Sequence, residues 1–340
     1  MKVVNFPAWR LDGHLHSWRH MYLNLFEAFH ELGYTIRVSP WMDVGELPEY
    51  VQVGIIDSEE HVYVFNHTHQ YEIETQNRPK GNLNLFIKPS GPSYKHFTID
   101  SLGYASHSSI TYKIPNYKKV SYKSNKNVED FYNTEIPLWK NNKINKWDND
   151  PHTVEFSDTT EDIPDNHVLF LGQMPGDETV SHFSFGDHWQ KFKALINSYA
   201  GDDAVVIKLH PNLSTHDKDN SWKRHNNVTT FLDNCKSKGY KIFTEYESLH
   251  TILPKTKVAI IENSTSGLEC LMYEVPIISY GYPEYHWVTK DLRHAINLTK
   301  FTSDISWYDN EDAKAWLTWY CKEYACNDKE STLHRLKQLI

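Results

Sequence analysis

The chain is poor in several features, and each scarcity excludes a class of protein. Across 340 residues no apolar run reaches the about 18 residues that a bilayer-crossing helix needs. A mean hydropathy of −0.62 agrees, so a membrane-embedded protein is not expected. There are only four cysteines (Cys235, Cys270, Cys321 and Cys326), scattered without metal-ligand spacing. That excludes a disulfide framework and a thiolate metal site, and reduced thiols in a cytoplasm are the expectation. Basic residues are in deficit, 35 against 44 acidic, for a net charge of −9, so the chain as a whole is no polycation for nucleic acid. No internal repeat or low-complexity tract is present. The start, Met1-Lys2-Val3-Val4-Asn5-Phe6-Pro7, reads as a first β-strand and not as a signal peptide.

What is present suits packed cores: 39% hydrophobic and 14% aromatic residues, in a length that suggests two domains of ordinary size. The first half alternates a strand at 2–7, a helix at about 17–33, and strands near 35–39, 51–57, 61–66 and 83–88, with Gly33 as helix C-cap. The second half gives strands near 167–172, 204–209, 240–244, 258–262 and 276–280, separated by helical segments. Such alternation predicts an α/β fold with parallel, doubly wound sheets. The Asn-, Lys- and Asp-rich stretch 120–165 marks the boundary. The expected division is 1–160, 161–305, and a C-terminal helical segment over 306–340.

Three strand ends carry the chemistry. The apolar run Ile260-Ile261 breaks into Glu262-Asn263-Ser264-Thr265-Ser266-Gly267, and a short helix follows before the strand from Pro276. Ligands bind at the carboxyl edge of such a sheet, and a helix starting there offers N–H groups and a positive dipole end to an anion. Ser264, Thr265, Ser266 and Gly267 therefore form a candidate phosphate seat. The competing reading is that Ser264 or Thr265 simply caps the helix. A second element, Val205-Val206-Ile207-Lys208-Leu209-His210-Pro211, favours phosphate. Pro211 ends the strand and biases His210 to an extended conformation at the rim. The third, His167-Val168-Leu169-Phe170-Leu171-Gly172-Gln173, leads into a Gly/Pro loop with Asp177 and Glu178. A carboxylate there is either a nucleophile or base, or a solvated acidic turn.

Together, Gly172-Gln173 with Asp177, His210-Pro211, Ser264-Thr265 with Gly267-Leu268-Glu269-Cys270-Leu271, and Pro276 followed by Tyr280-Gly281-Tyr282-Pro283 resemble the bacterial capsule-type Kdo glycosyltransferases, a group related in its donor site to bacterial sialyltransferases. The resemblance covers about residues 165 to 290. It implies a GT-B architecture: two Rossmann-like domains facing a cleft, with a C-terminal helix crossing back. It also implies a CMP-linked sugar donor and no cofactor or metal. By position, His210 and Ser264/Thr265 would hold the CMP phosphate, with Gln173, Lys208, Pro211, Ser266 and Gly267 completing the donor site. Glu245 would approach the ribose or base, with Glu247 as its substitute. Asp177 would be the catalytic carboxylate of a retaining reaction, whose two-step logic parallels retaining glycoside hydrolysis. The sequence departs from the family pattern at Cys270 (usually Ala), at Glu274-Val275 (usually Gly), and at Tyr285-His286-Trp287 in place of Gly-Trp-Gly. These departures leave the phosphate seat intact and bear on which sugar is used.

The acceptor is expected in the first half. Asp12-Gly13-His14-Leu15-His16-Ser17-Trp18-Arg19 follows the first strand. Asp12 or His14 would orient or deprotonate an acceptor hydroxyl, with His16 and Arg19 binding it. Equally, Ser17 caps the next helix and the histidines lie on the surface. The pairs His14/His16 and His67/His69, and Asp148-Asn149-Asp150, mimic metal motifs without the required setting, so no metal is expected. Segment 112–147 holds eight lysines, among them Lys118, Lys119 and Lys123, interleaved with aromatics. It suits a solvated loop, an anionic glycan or membrane surface, or nucleic acid. The leading expectation is a glycosyltransferase acting on a bacterial surface glycan. The alternatives are a phage-type enzyme modifying hydroxymethylcytosine in DNA, and a non-catalytic nucleotide- or glycan-binding module. Sugar, linkage position, host and oligomeric state are not readable.

Overall fold

The structure, a computed structural model, describes residues 2–6, 16–40, 46–55, 62–66, 95–99, 126–141, 163–174, 180, 187–210, 213, 221–243, 247–292, 297–324 and 329–340. Two compact units result: Met1–Tyr104, Lys146–His152 and Trp319–Ile340 form one, and Ala105–Asn145 with Thr153–Thr318 the other. The expected strand at 83–88 lies outside the described residues.

The first unit is built on β1 (Val3–Phe6), α1 (His16–Glu31), β2 (Thr35–Val38), β3 (Val51–Val53), β4 (Val62–Asn66) and β5 (Lys95–Ile99). All pairs are parallel, in the order β3-β2-β1-β4-β5, a doubly wound sheet. Tyr22, Phe26 and Phe29 recur at helical spacing and fall on the face of α1 that meets the sheet. Phe26 stands edge-on to Phe6 with ring centroids 4.8 Å apart. The helix ends in a Schellman motif. Tyr34 N–H donates to Phe29 O (3.0 Å) and Gly33 N–H to His30 O (2.9 Å), with Gly33 at φ 77° as its position requires.

The second unit contains β6 (His167–Leu171), α2 (His188–Ser198), β7 (Val205–Lys208), α3 (Val228–Ser237), β8 (Lys241–Phe243), β9 (Thr256–Ile261), α4 (Ser266–Met272), β10 (Ile277–Ser279), β11 (Lys290–Asp291) and α5 (Asn310–Trp319). Its sheet is parallel throughout, ordered β11-β10-β9-β6-β7-β8. β6, β7 and β10 are buried at every residue, as the strands of a sheet covered on both faces must be. Trp189, Phe192 and Ile196 of α2, spaced for one helical face, join the core they enclose.

The last helix, α6 (Lys329–Leu339), returns to the first unit and packs along α1. Leu336 enters that core and Lys329 Nζ lies 3.1 Å from Glu31 Oε2. This is the C-terminal crossing-back that the GT-B resemblance implies. The C-terminal helix is not one piece: a π-helical turn at Tyr320–Tyr324 follows α5. Residues 126–141, expected with the first half, group with the second unit because their apolar face is used there. Phe131 and Ile136 are buried, Tyr132 Oη donates to Leu271 O (3.3 Å), and the Lys140 ammonium sits 4.7 Å from the Tyr273 ring centre.

Phe26→Ala removes a fully buried ring from the centre of the first unit. It should cost about 3–5 kcal/mol, read as a lower urea midpoint by circular dichroism.

Candidate functional site

The chain leaves β6 for β7 and β8 on one side of the sheet, then crosses back to lay β9, β10 and β11 on the other. The order therefore reverses between β6 and β9, and in open α/β sheets the crevice at the carboxyl ends of such a strand pair is where ligands bind. Gln173 follows β6, Glu262, Asn263 and Ser264 follow β9, and His210 follows β7, which is the other neighbour of β6. Three sequence-predicted groups thus sit at the same edge of three adjacent strands. At roughly 4.8 Å per strand, His210 and Ser264 are about 10 Å apart in the sheet direction.

The turn after β9 is locally self-sufficient. Ser264 Oγ accepts from Ser266 N–H (3.2 Å) and donates to Ser266 Oγ (3.1 Å), while Gly267 N–H donates to Ser264 O (3.1 Å). Ser264 therefore satisfies the N–H of the first helical residue, while Thr265, at the N-cap position itself, makes no side-chain cap bond. Ser264, Thr265 and Ser266 remain half-buried, and the hydroxyls of Thr265 and Ser266 donate to no acceptor among the described residues. A side chain at Gly267 would run into the buried Tyr285 ring, whose hydroxyl donates to Ser264 O. Gly267 is required for that packing.

Gln173 is buried, and its amide clasps Asn263 with two bonds. Its Nε2 donates to Asn263 Oδ1 (2.7 Å), and its Oε1 accepts from Asn263 N–H (2.8 Å). The Gln173 N–H donates to His188 Nε2 (3.1 Å), and His188 Nδ1 bonds Glu262 Oε2. The other oxygen of Glu262 takes the Lys191 ammonium. Burial alone would push the Glu262 carboxyl up, yet its bonds to His188 and Lys191 outweigh that and hold it below the usual range. The Tyr280 ring lies parallel to His188, centroids 6.5 Å apart, and burial keeps its hydroxyl protonated. Sequence reasoning missed His188, Lys191, Glu262 and Asn263 as a cluster. The one available signal was an acidic residue directly following an apolar strand.

Lys208 is buried at the end of β7 with its ammonium on Leu209 O (2.8 Å). His210 is half-buried, and its carbonyl accepts from Leu213 N–H (3.2 Å). Glu247 keeps one carboxylate oxygen, Oε2, buried and without a hydrogen-bond partner among the described residues. Asp12, His14, Lys118, Lys119, Lys123, Asp177, Pro211 and Glu245 lie outside the described residues, as do His67, His69 and Asp148–Asp150. His16 and Arg19 are placed in the first turns of α1. At Glu274, where the resemblance has glycine, the backbone is left-handed (φ 59°). Its carboxylate is held by Lys314 (2.9 Å) and Asn310 (2.7 Å). Among the described residues no three His, Cys, Asp or Glu side chains gather as a metal site, and no helix is long and apolar enough to cross a membrane.

A family model described as capsule polysaccharide biosynthesis protein matches residues 89–307. Among solved structures the chain is similar to Thermosulfurimonas dismutans KpsC, beta Kdo 2,7 transferase, at 12% identity and a TM-score of 0.51, covering 100% of this chain and 99% of that one. It also matches Thermosulfurimonas dismutans KpsC, beta Kdo 2,4 transferase, at 13% identity and a TM-score of 0.46, covering 93% and 89%. At 12% identity the likeness to the first is one of fold, and the fold is GT-B. No curated protein matches by sequence.

Gly267→Ala should destabilise the fold by about 1–3 kcal/mol through overpacking against Tyr285, seen as a lower thermal midpoint. Calorimetry of the variant measures it. Glu262 and Glu274 both titrate lower when folded than their ordinary 4.5. The stability they add is complete above 4.5 and is lost as pH falls through their folded values. An acid titration should show the midpoint begin to fall below about 6.5, where burial holds the His167 imidazole below its ordinary value, and fall further below about 4.5, the second decline being reduced in Glu262→Gln.

Proposed function

Because this chain belongs to the capsule polysaccharide biosynthesis protein family and has the GT-B fold, we propose that it is a glycosyltransferase of surface-polysaccharide assembly. Its donor is a CMP-activated sugar, Kdo or a related sugar such as a pentose. Its acceptor is a hydroxyl on a bacterial surface glycan. The observation that carries this reading is the gathering of Gln173, His210 and the 264–266 hydroxyls at the carboxyl ends of β6, β7 and β9, astride the reversal of strand order. The proteins of similar fold described as Kdo transferases support the choice of sugar class.

In this reading the His210 imidazole and the Thr265 and Ser266 hydroxyls donate to the CMP phosphate, and Ser264 holds the turn in shape. Glu245 or Glu247 accepts from the ribose. The unpartnered oxygen of Glu247 favours the second, since a buried carboxylate oxygen gains most from a hydroxyl donor. Asp177 attacks the anomeric carbon as CMP leaves, and the acceptor oxygen then displaces it, with Asp12 or His14 taking the acceptor proton. Two inversions give retention. No cofactor and no metal enters this scheme. DNA as acceptor drew on the lysine- and aromatic-rich stretch 112–147. Its described part uses Phe131, Tyr132 and Lys140 for packing, so the glycan remains the preferred acceptor.

The test is thermal stability with CMP, UDP, GDP and ADP, each at millimolar concentration. A ligand at 100 times its dissociation constant adds about 2.7 kcal/mol. A shift with CMP, lost in His210→Ala, is expected; a shift with UDP or GDP alone would overturn the CMP assignment. Asp177→Ala should abolish turnover of the matching donor while leaving the CMP shift in place. Retained turnover would remove Asp177 from catalysis, and the absence of turnover in the unaltered chain with CMP bound would favour a binding module.

A further inference from the structure

The cluster of buried His188 and Glu262 with half-buried Lys191 is not used by the scheme above, yet it occupies the switch point itself. His188 is 4% exposed, Gln173 8%, and Glu262 and Asn263 fully buried. Its proton arrangement is fixed by the bonds it makes. Gln173 N–H can only donate, so His188 Nε2 must present a lone pair; the ionised Glu262 can only accept, so Nδ1 must carry the proton. Lys191 neutralises the carboxylate from its second side. One neutral tautomer therefore satisfies both ends, and it links α2 to the loops after β6 and β9.

Such a cluster adds little to stability that apolar side chains of similar volume would not, because these hold a core at least as well as a buried ion pair. What it adds is direction. With its main chain held by His188, Gln173 is placed so that both ends of its amide meet Asn263, the residue before Ser264.

We propose that His188 and Glu262 are positioning residues of the donor site: the Glu262–His188 pair orients Gln173, whose clasp on Asn263 holds the loops after β6 and β9 in register for the nucleotide. This rests on the reading of that edge as the donor site. The bonds from His188 and Lys191 together hold Glu262 ionised, and the rings of Phe192 and Tyr280 lie near-parallel to the imidazole, with centroids 5.9 and 6.5 Å from His188.

The experiment compares His188→Phe with His188→Gln in the full chain. Phenylalanine keeps the stacking and loses both hydrogen bonds. Glutamine can donate to Glu262 and accept from Gln173, so it is the conservative rescue. Amide hydrogen exchange is read at Gln173 and Asn263, and CMP affinity by titration, with donor kcat and KM measured separately. In His188→Phe, exchange at both amides should accelerate roughly tenfold, as the loss of a buried charge-assisted network implies. Exchange along α3 should stay unchanged, CMP affinity should fall tenfold or more, and KM should rise more than kcat falls. His188→Gln should restore a substantial part of each. If His188→Phe only lowers the thermal midpoint, with exchange at the two amides and CMP affinity unaltered, the cluster is structural and the proposal fails. If the unaltered protein binds no nucleotide, the donor-site reading fails instead. The exchange pattern then still decides whether the pair orients Gln173: acceleration at both amides retains that step, and no change removes it.

Discussion

A carboxylate with no solvent exposure sits where the second sheet reverses its strand order, and much of the site follows from the need to satisfy it. An isolated charge there would cost far more than the fold can bear, so Glu262 must find donors within reach. It finds them on a single helix, one turn apart: His188 and Lys191 of α2. That requirement fixes the rotation of α2 on the sheet, since the two polar residues must face β9 while Trp189, Phe192 and Ile196 face the core. It also fixes Gly281. A Cβ on that residue would come within 2.5 Å of the Glu262 carbonyl oxygen, so the strand end after β10 approaches the carboxylate's backbone as closely as only glycine permits.

The consequence for chemistry is rigidity at an edge that sheets usually leave to mobile loops. The ends of β6 and β9 are tied through side-chain amides, and the turn after β9 is tied again by Tyr285 to Ser264 O. On the proposed donor-site reading, such an edge would meet the nucleotide with little local reordering, the condition for electrostatic preorganisation. Ser264 illustrates the division of labour. Its hydroxyl and carbonyl are both occupied in shaping the turn, and the donor-site proposal therefore rests on the neighbouring hydroxyls of Thr265 and Ser266.

Much of this architecture was legible in the sequence. Buried strands announce themselves as apolar β-branched runs, and alternation with amphipathic helices gave two parallel sheets without further information. Gly33 was readable as a C-cap because its chemistry is local. β5 was not readable: Lys-His-Phe-Thr-Ile carries neither a continuous apolar run nor a clean alternation. The stretch 126–141 misled for a related reason. Its lysines and aromatics suit a solvated basic surface in sequence, while in the fold Phe131 is buried, Tyr132 and Trp139 are half-buried, and the Lys140 ammonium lies over the Tyr273 ring.

The cluster around Glu262 was illegible on different grounds. His188 and Glu262 are 74 residues apart, and no periodicity connects them. Read alone, His188 is one polar position in an amphipathic helix, and Glu262 one acidic residue leaving a strand. Their meaning arises only from the crossover that lays β9 beside β6 rather than beside β8, which is a property of topology and not of any local pattern. Short motifs reveal groups that act through their own backbone, such as Gly33 in its left-handed turn. Groups that act through a partner brought in by topology stay hidden until the strand order is known. The edge where the order reverses is therefore the place in such a sheet where sequence reading is least complete, and it is also where the ligand is expected.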